Sequence, residues 1–599
     1  MVGSLEGIAR PNEKGTFWCE FDWTSPLLQL FSSIERASSL HPLAIIPRKQ
    51  LDVEFLDLAR VMGLSFVSLL RGGVTESTAR DAAVARICQS WECALVKRAD
   101  KDSPGENTSS VAPFLSVRTA FDLYLKALAL PRGSRVVCSP LTIPDMVTII
   151  LEHGLVPVPV DLDPNTLAPS SEVLEGEIRR TRGPCGSGPG GGEEVQGPVR
   201  AIYVAHVFGA QINMEPIAEL AARYSLFLWE DCAQVFTGLD GYLGHPFSDV
   251  AFFSFGVIKR ATALGGGVVV ARDPVMLRAM STLEATYPVQ SSLSYLRRAI
   301  KCTLLLICTT PLLFGILVHV LTQLGVSHDE VIMKLSHGFP KKGMLKAIRH
   351  RPSVPLLQLL ERRIARYGPQ GLGLRGRHCN RMASRLARLL PLPGRAAKMG
   401  CSKVPELRSL LPGTQAHRHT LWLFPVVVPP DGEGSSAGVG AGGQRADVVV
   451  GALLREGFDA TRAPTSLVPI DRCLSQAALG RGQARTEGCK GAVSPLPTVL
   501  PKCSQMMDSL VYLPLVDNIP DSEWDRMAFV LARALCQPLP LGAGGNGDCS
   551  TRRRIEPVNI SLVLASFLLR VDVFILALAC LLGVVPLCLA CWLSSYSCS

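Results

Sequence analysis

"AIYVAHVFGAQINMEPIAELAARYSLFLWED" occupies residues 201–231, and its pattern decides the fold. "AIYVAHVFG" (201–209) is an apolar strand. The helix after it has Pro216 near its first turn and Ile217, Leu220, Ala221 and Tyr224 at i, i+3, i+4 and i+7. "LFLWED" (226–231) is a second buried strand that ends on acids. Apolar strands joined by an amphipathic helix imply a mainly parallel sheet, covered on both faces.

The same alternation extends outward over residues 116–272. "LYLKALAL" (123–130) is helical and ends at "PRGS"; "RVVCS" is strand-like, and "DMVTIILEHG" is a helix closed by glycine. "VPVPVDLD" is extended, and a glycine-rich insertion, "GPCGSGPGGGEEVQGP" (183–198), precedes the opening stretch. "VAFFSF" and "GVVVARD" supply two more strands. An α/β large domain over 111–300 is expected, after an N-terminal extension over 1–110. Ligands of such sheets bind at the carboxyl ends of the strands, where His206, Asp231 and Ser254 fall. A smaller α+β domain is expected over 401–540, from "HTLWLFPVVVP", "ADVVVGALLREGFDA", "SLVYLPL" and the capped amphipathic "PDSEWDRMAFVLARAL". Glycine-rich stretches at 431–444 and 541–548 are expected to be surface loops without a chemical role.

At 599 residues the chain is too long for one simple core. Hydrophobic residues make up 47% and charged residues 19%, so part of the protein is expected to meet lipid. The formal net charge of +10 is uneven: between Lys341 and Lys398 there are 15 Lys/Arg and one acid, Glu361. No nucleic-acid motif accompanies that charge, so nucleic acid is not expected as a partner, and pairing with lipid head groups is. Val573–Ser594 is a 22-residue uncharged run with Arg552, Arg553 and Arg554 upstream, which predicts a transmembrane tail anchor and a cytosolic catalytic body. Thr303–Val326 is also apolar, but Pro311 and Gly315 interrupt it. It is expected to lie in the membrane interface, within a 301–400 region that continues into the basic helical stretch. The N-terminus has no apolar run and does not look like a secretory signal. Nineteen cysteines without framework spacing suggest reduced thiols, and "CLAC" (588–591) suggests packing or lipidation before metal; no metal site is expected.

The chemistry centres on "FFSFGVIKRATALGGG" (252–267), where Lys259 sits between an aromatic-flanked serine and three glycines. Pyridoxal phosphate wants a lysine, a carboxylate and a phosphate cradle at one sheet edge. Its aldehyde condenses with the amine, its ring nitrogen needs a carboxylate, and its phosphate needs hydroxyls and amides. Asp231 ends a buried strand 28 residues before Lys259, and Ser254 precedes the lysine by five.

"SVRTAFDLYLKAL", "LVPVPVDLDPNT", "AHVFG" (205–209), "EDCAQ" (230–234) and "SFGVIK" with "GGG" occur in an order that resembles the DegT/StrS-type aminotransferases. These are fold-type-I pyridoxal phosphate enzymes that aminate keto-sugars. "GFDATRAPTSLVPI" and "DSLVYLPL" resemble that family's small domain. The resemblance implies that Lys259 is the Schiff-base lysine and proton carrier, and that Asp231 is the partner of the pyridinium nitrogen. It places Gln234 beside the ring, Thr119 and Ser254 on the phosphate, and His206 near the site. It also implies a small-molecule amino donor, a keto acceptor and a homodimer. Four positions depart from the family pattern. Arg118 replaces a glycine, Ile143 the ring-covering aromatic, Arg260 an asparagine and Gly265 an acid. Arg118 and Arg260 could add charge near a phosphate or a carboxylated substrate. A dehydratase or lyase, or a degenerate membrane-associated scaffold of the same fold, are the alternatives.

Overall fold

The computed structural model of the chain describes residues 43–70, 74–102, 110–180, 197–336, 339, 343–368, 370–390, 410–429, 441–462, 467–475, 500–517 and 519–536. Two helices, α1 (Phe55–Leu70) and α2 (Val74–Asp102), precede the sheet. The strands are β1 (Ser110–Phe114), β2 (Arg135–Cys138), β3 (Leu141–Thr142), β4 (Val156–Pro159), β5 (Val199–Ala205), β6 (Ala210–Gln211), β7 (Phe227–Asp231), β8 (Val250–Ser254) and β9 (Gly267–Ala271). Between them run α3 (Val117–Leu128), α4 (Pro144–Glu152), α5 (Ser171–Arg180) and α6 (Glu215–Tyr224), and α7 (Pro274–Ala285) follows.

Seven strands form one sheet in the order β1-β9-β8-β7-β5-β2-β4. The run β4-β2-β5-β7-β8 is parallel, and β9 is antiparallel to both β8 and β1. The sheet is thus mainly parallel, and the apolar runs have the burial they require. Tyr203, Trp229 and Phe252 pack against Phe121 and Tyr124 of α3 on one face. On the other face Ile202 and Leu228 meet α5 and α6, while Phe253 and Val268 meet α1 and α2. Trp91 of α2 is fully buried, with its ring 5.0 Å from that of Phe253. The α1 and α2 helices of the N-terminal extension therefore belong to the large-domain core, while Ile46 ahead of them packs in the small-domain core.

After the sheet come α8 (Ser292–Cys308), α9 (Pro311–Gln323), α10 (His328–Ser336), α11 (Met344–Ile348), α12 (Val354–Arg366) and α13 (Gln370–Leu389). The small domain adds β10 (Arg418–His419), β11 (Phe424–Val427), α14 (Ala441–Arg455), β12 (Val468–Pro469), α15 (Pro501–Ser509), β13 (Leu510–Leu513) and α16 (Asp521–Cys536). Its core joins Met382 and Leu386 of α13 to Val449, Val511, Trp524 and Leu531, so this domain starts at α13, before residue 401. Pairings of β10 with β6 and of β12 with β3 tie it to the large domain.

The structure bears on two sequence expectations. Part of the basic stretch is already held by acids from distant elements. Arg349 pairs with Asp122, Arg362 and Arg363 with Asp57, Arg375 with Asp517, and Arg381 with Asp521 and Asp525. The apolar segment Thr303–Val326 is two helices, α8 and α9, bent by 94° at Thr309–Thr310, with Gly315 packed against the Leu43 carbonyl. Among the described residues no single helix is long and apolar enough to cross a membrane. Val573–Ser594, Arg552–Arg554 and "CLAC" lie outside the described residues. The ten described cysteines are free thiols.

Candidate active site

A cavity of about 140 Å³ opens at the carboxyl ends of β5, β7 and β8, under the N-terminus of α3. Asp231, Gln234, Ser254, Lys259 and His206 all line it, with Arg118, Ile143, Arg298 and Trp422. The local folding follows from the glycines. A Cβ on Gly267 would lie 2.7 Å from the Val117 nitrogen, so only glycine lets α3 begin against β9. Gly266, at φ +88°, turns the chain just before it.

Lys259 sits on the loop between β8 and β9, its ammonium nitrogen 4.3 Å from the centre of the Trp422 ring. Burial pushes its amine down to about 8; Asp231 opposes the shift and Arg118 adds to it. Asp231 is held at both oxygens. The Tyr203 hydroxyl donates to one at 2.9 Å and the Ala233 N–H to the other at 3.0 Å. Gln234 accepts from the Phe208 N–H at 2.7 Å, which fixes its amide beside the cavity.

His206 is oriented by the protein itself. Its Nδ1 accepts from the Ile212 N–H at 3.1 Å, so Nε2 carries the proton and donates to Glu230 at 3.0 Å. Burial alone would raise the Glu230 carboxyl, but hydrogen bonds from His206, Ser248 and Tyr242 outweigh it and hold it at about 2. The imidazole is an inner prop of the cavity floor, with no ring nitrogen left for a ligand.

Thr119 does not reach the cavity. It lies on the inward side of α3, fully buried, and its hydroxyl donates to the Ile348 carbonyl at 2.8 Å. The residues of that turn that face the cavity are Ser116, Val117 and Arg118. Arg118 also pairs with Asp145. Arg260 points away, donating to the Thr420 carbonyl at 2.7 Å and pinning the approach to β11 rather than adding charge to the cavity.

Sequence reasoning missed two contributors, both distant along the chain. Trp422 supplies the aromatic wall that Ile143 cannot, and its indole N–H donates to the Ile258 carbonyl at 3.3 Å. The strap that precedes α1, residues 43–54, supplies Lys49, which donates to that same carbonyl at 2.6 Å and lies 4.2 Å from the Trp422 ring centre. Asp52 on the same strap accepts from the Ala261 N–H at 3.1 Å. The lysine loop is thus clamped on both sides of Lys259.

The donor set fits pyridoxal phosphate. At one end the first turn of α3, a 12-residue helix, brings its N-terminus and Arg118 to the cavity, and the Ser254 hydroxyl makes no hydrogen bond to another described residue. Asp231 stands apart from that end, as a partner for a ring nitrogen, and Lys259 supplies a partly neutral amine.

Residues 110–291 match the DegT/DnrJ/EryC1/StrS aminotransferase family. GDP-perosamine synthase of Escherichia coli O157:H7 is 31% identical over 158 residues, 26% of this chain and 39% of that protein. L-glutamine:2-deoxy-scyllo-inosose aminotransferase of Streptomyces kanamyceticus is 28% identical over 174 residues, 29% of this chain and 37% of that protein. The aligned part thus spans about two-fifths of these relatives. The aminotransferase TlmJ of Streptoalloteichus hindustanus superposes with a TM-score of 0.44 at 17% identity, over 78% of this chain and 97% of that one. Residues 110–291, under a third of the chain, are thus similar to the DegT/DnrJ/EryC1/StrS aminotransferase family.

Proposed function

We propose that the protein is an aminotransferase that moves an amino group from an amino-acid donor to a keto acceptor, a keto-sugar being the acceptor class its relatives suggest. The observation that carries this reading is the meeting of Lys259, Asp231 and the α3 N-terminus around one cavity. Bound pyridoxal phosphate supplies an electron sink for a carbanion at the donor's α-carbon. The chain's own residues do the rest. The first turn of α3, Arg118 and Ser254 hold the phosphate. Asp231, fixed by Tyr203 and the Ala233 N–H, keeps the ring nitrogen protonated. The Lys259 amine, down at about 8, would hold the aldehyde and, once the donor's own amine has displaced it, would carry a proton to and from the donor carbon near neutral pH. Trp422 closes the cavity against water.

The test is a half-reaction. Cofactor-loaded protein is mixed with glutamate, and 2-oxoglutarate is measured against enzyme concentration. One equivalent formed by wild type, and none by Lys259→Ala, is the expected result. Cofactor bound by wild type without any keto acid, across a panel of amino donors, would leave the fold serving as a scaffold.

A further inference from the structure

We infer that α1, α8 and α9 together form a docking face for an anionic lipid bilayer, one that lies in the membrane interface instead of crossing it. The observation is one of clustering. Leu56, Phe66 and Leu69 of α1, Leu293, Ile300 and Leu304 of α8, Val320 of α9 and Leu324 at its C-terminal cap are all exposed large apolar side chains. These helices are contiguous, α1 packing on α8 and α8 on α9. On α8 the outward positions Leu293, Arg297, Ile300, Leu304 and Cys308 follow the period of one helical face, and the opposite face buries Tyr295, Ala299 and Cys302 in the large-domain core. Leu304 is 59% exposed and Leu324 70%, far more than a folded core leaves open.

Charge identifies the occupant. Exposed Arg60 and Arg297 and half-buried Lys301 border this face and make no ion pair with a described residue. From Ser292 to Gln323 the chain has no Asp or Glu at all. A second copy of the chain would set the face against itself and bring these cations together with no acid from α8 or α9 to offset them. An anionic bilayer accepts both the apolar stripe and its basic border. The 94° bend keeps the pair from crossing as one rod, and the buried inner side of α8 fixes it to the core, so α8 lies along the surface. The proposed lipid contact is therefore this face.

The experiment uses the full chain and phosphatidylcholine vesicles with and without phosphatidylserine. Hydrogen exchange is followed by mass spectrometry, which reads each helix separately from any other membrane contact of the chain. Slower exchange at α1, α8 and α9 on serine-containing vesicles, with α5 and α6 unchanged, is expected. Ile300→Asp with Leu304→Asp should weaken this protection by about 30-fold or more in lipid concentration. Because both side chains point outward, the melting temperature should hold. Protection that rises with protein concentration and ignores lipid would assign the face to a second copy and overturn the inference. Unchanged exchange at these helices on vesicles that do bind the protein would overturn it too. Neither outcome touches the aminotransferase reading, which stands on the half-reaction.

Discussion

Truncating Trp422 to alanine should restore an ordinary lysine at the site. Burial is the largest cause of the low Lys259 value, and the Trp422 ring is the apolar surface 4.3 Å from its nitrogen. At pH 7.5 an amine titrating at about 8 is roughly one-quarter neutral, against about one part in a thousand for an exposed lysine. The buried amine is therefore about 250-fold richer in its nucleophilic form. Opening the wall to water should raise the midpoint towards 10.5, and each pH unit of rise removes close to tenfold of that form. The assay is acetylation of cofactor-free protein by acetic anhydride across a pH series, with Lys259 quantified by mass spectrometry. Trp422→Ala should label at least about eightfold more slowly at pH 7.5. Trp422→Phe, which keeps the wall apolar, should stay near wild type. Trp422 is 3% exposed, so its truncation also destabilises the fold by about 3–5 kcal/mol, and labelling must be compared below the variant's melting point. Unchanged or faster labelling in Trp422→Ala would refute burial by this ring as the cause.

Gly267→Ala should destabilise by about 1–3 kcal/mol, because the added methyl meets backbone atoms of Ser116 and Val117 that cannot move without shifting α3; thermal melting reads the loss, and inorganic phosphate should protect the variant less than wild type. Lys49→Gln should free the loop that carries Lys259, raising hydrogen exchange at residues 258–261 by about tenfold, the loss of one partly buried hydrogen bond; no change there would make Lys49 a bystander. The Lys259 amine is lower in the folded than in the unfolded chain, so between about pH 8 and 10.5 the unfolded state holds more protons, and this lysine's contribution to stability grows with pH in that window. Relative to Lys259→Met, wild-type cofactor-free protein should therefore gain stability from pH 8 to 10; an equal slope in the two proteins would contradict the shift.

The parallel sheet was legible because its apolar strands and amphipathic helices carry their periods locally. Asp231, Ser254 and Lys259 were legible for the same reason: strand ends place residues, and the sheet collects its strand ends. Thr119 was misplaced because one residue along a helix is a turn of about 100°, and sequence order alone does not say which side of the first turn faces the ligand. Trp422 reaches the cavity from the small domain and Lys49 reaches the lysine loop from the strap, through contacts that no local pattern announces. The cationic run 341–398 looked unpartnered because its acids, Asp57, Asp122, Asp517 and Asp525 among them, lie far away in sequence. The three glycines were legible as a close approach, but the approaching backbone of Ser116 and Val117 emerged only from the fold.

The central claim is that Lys259 is, among the described residues, the one lysine that lines the cavity and is placed to hold the cofactor. It is tested most directly by mixing the full-length protein with pyridoxal phosphate, reducing with borohydride and mapping the modified peptide. A single phosphopyridoxyl group on Lys259, lost in Lys259→Ala, is predicted. Modification centred on Lys49, which faces the other contact of Trp422, or labelling scattered over surface lysines and unchanged in Lys259→Ala, would contradict the account.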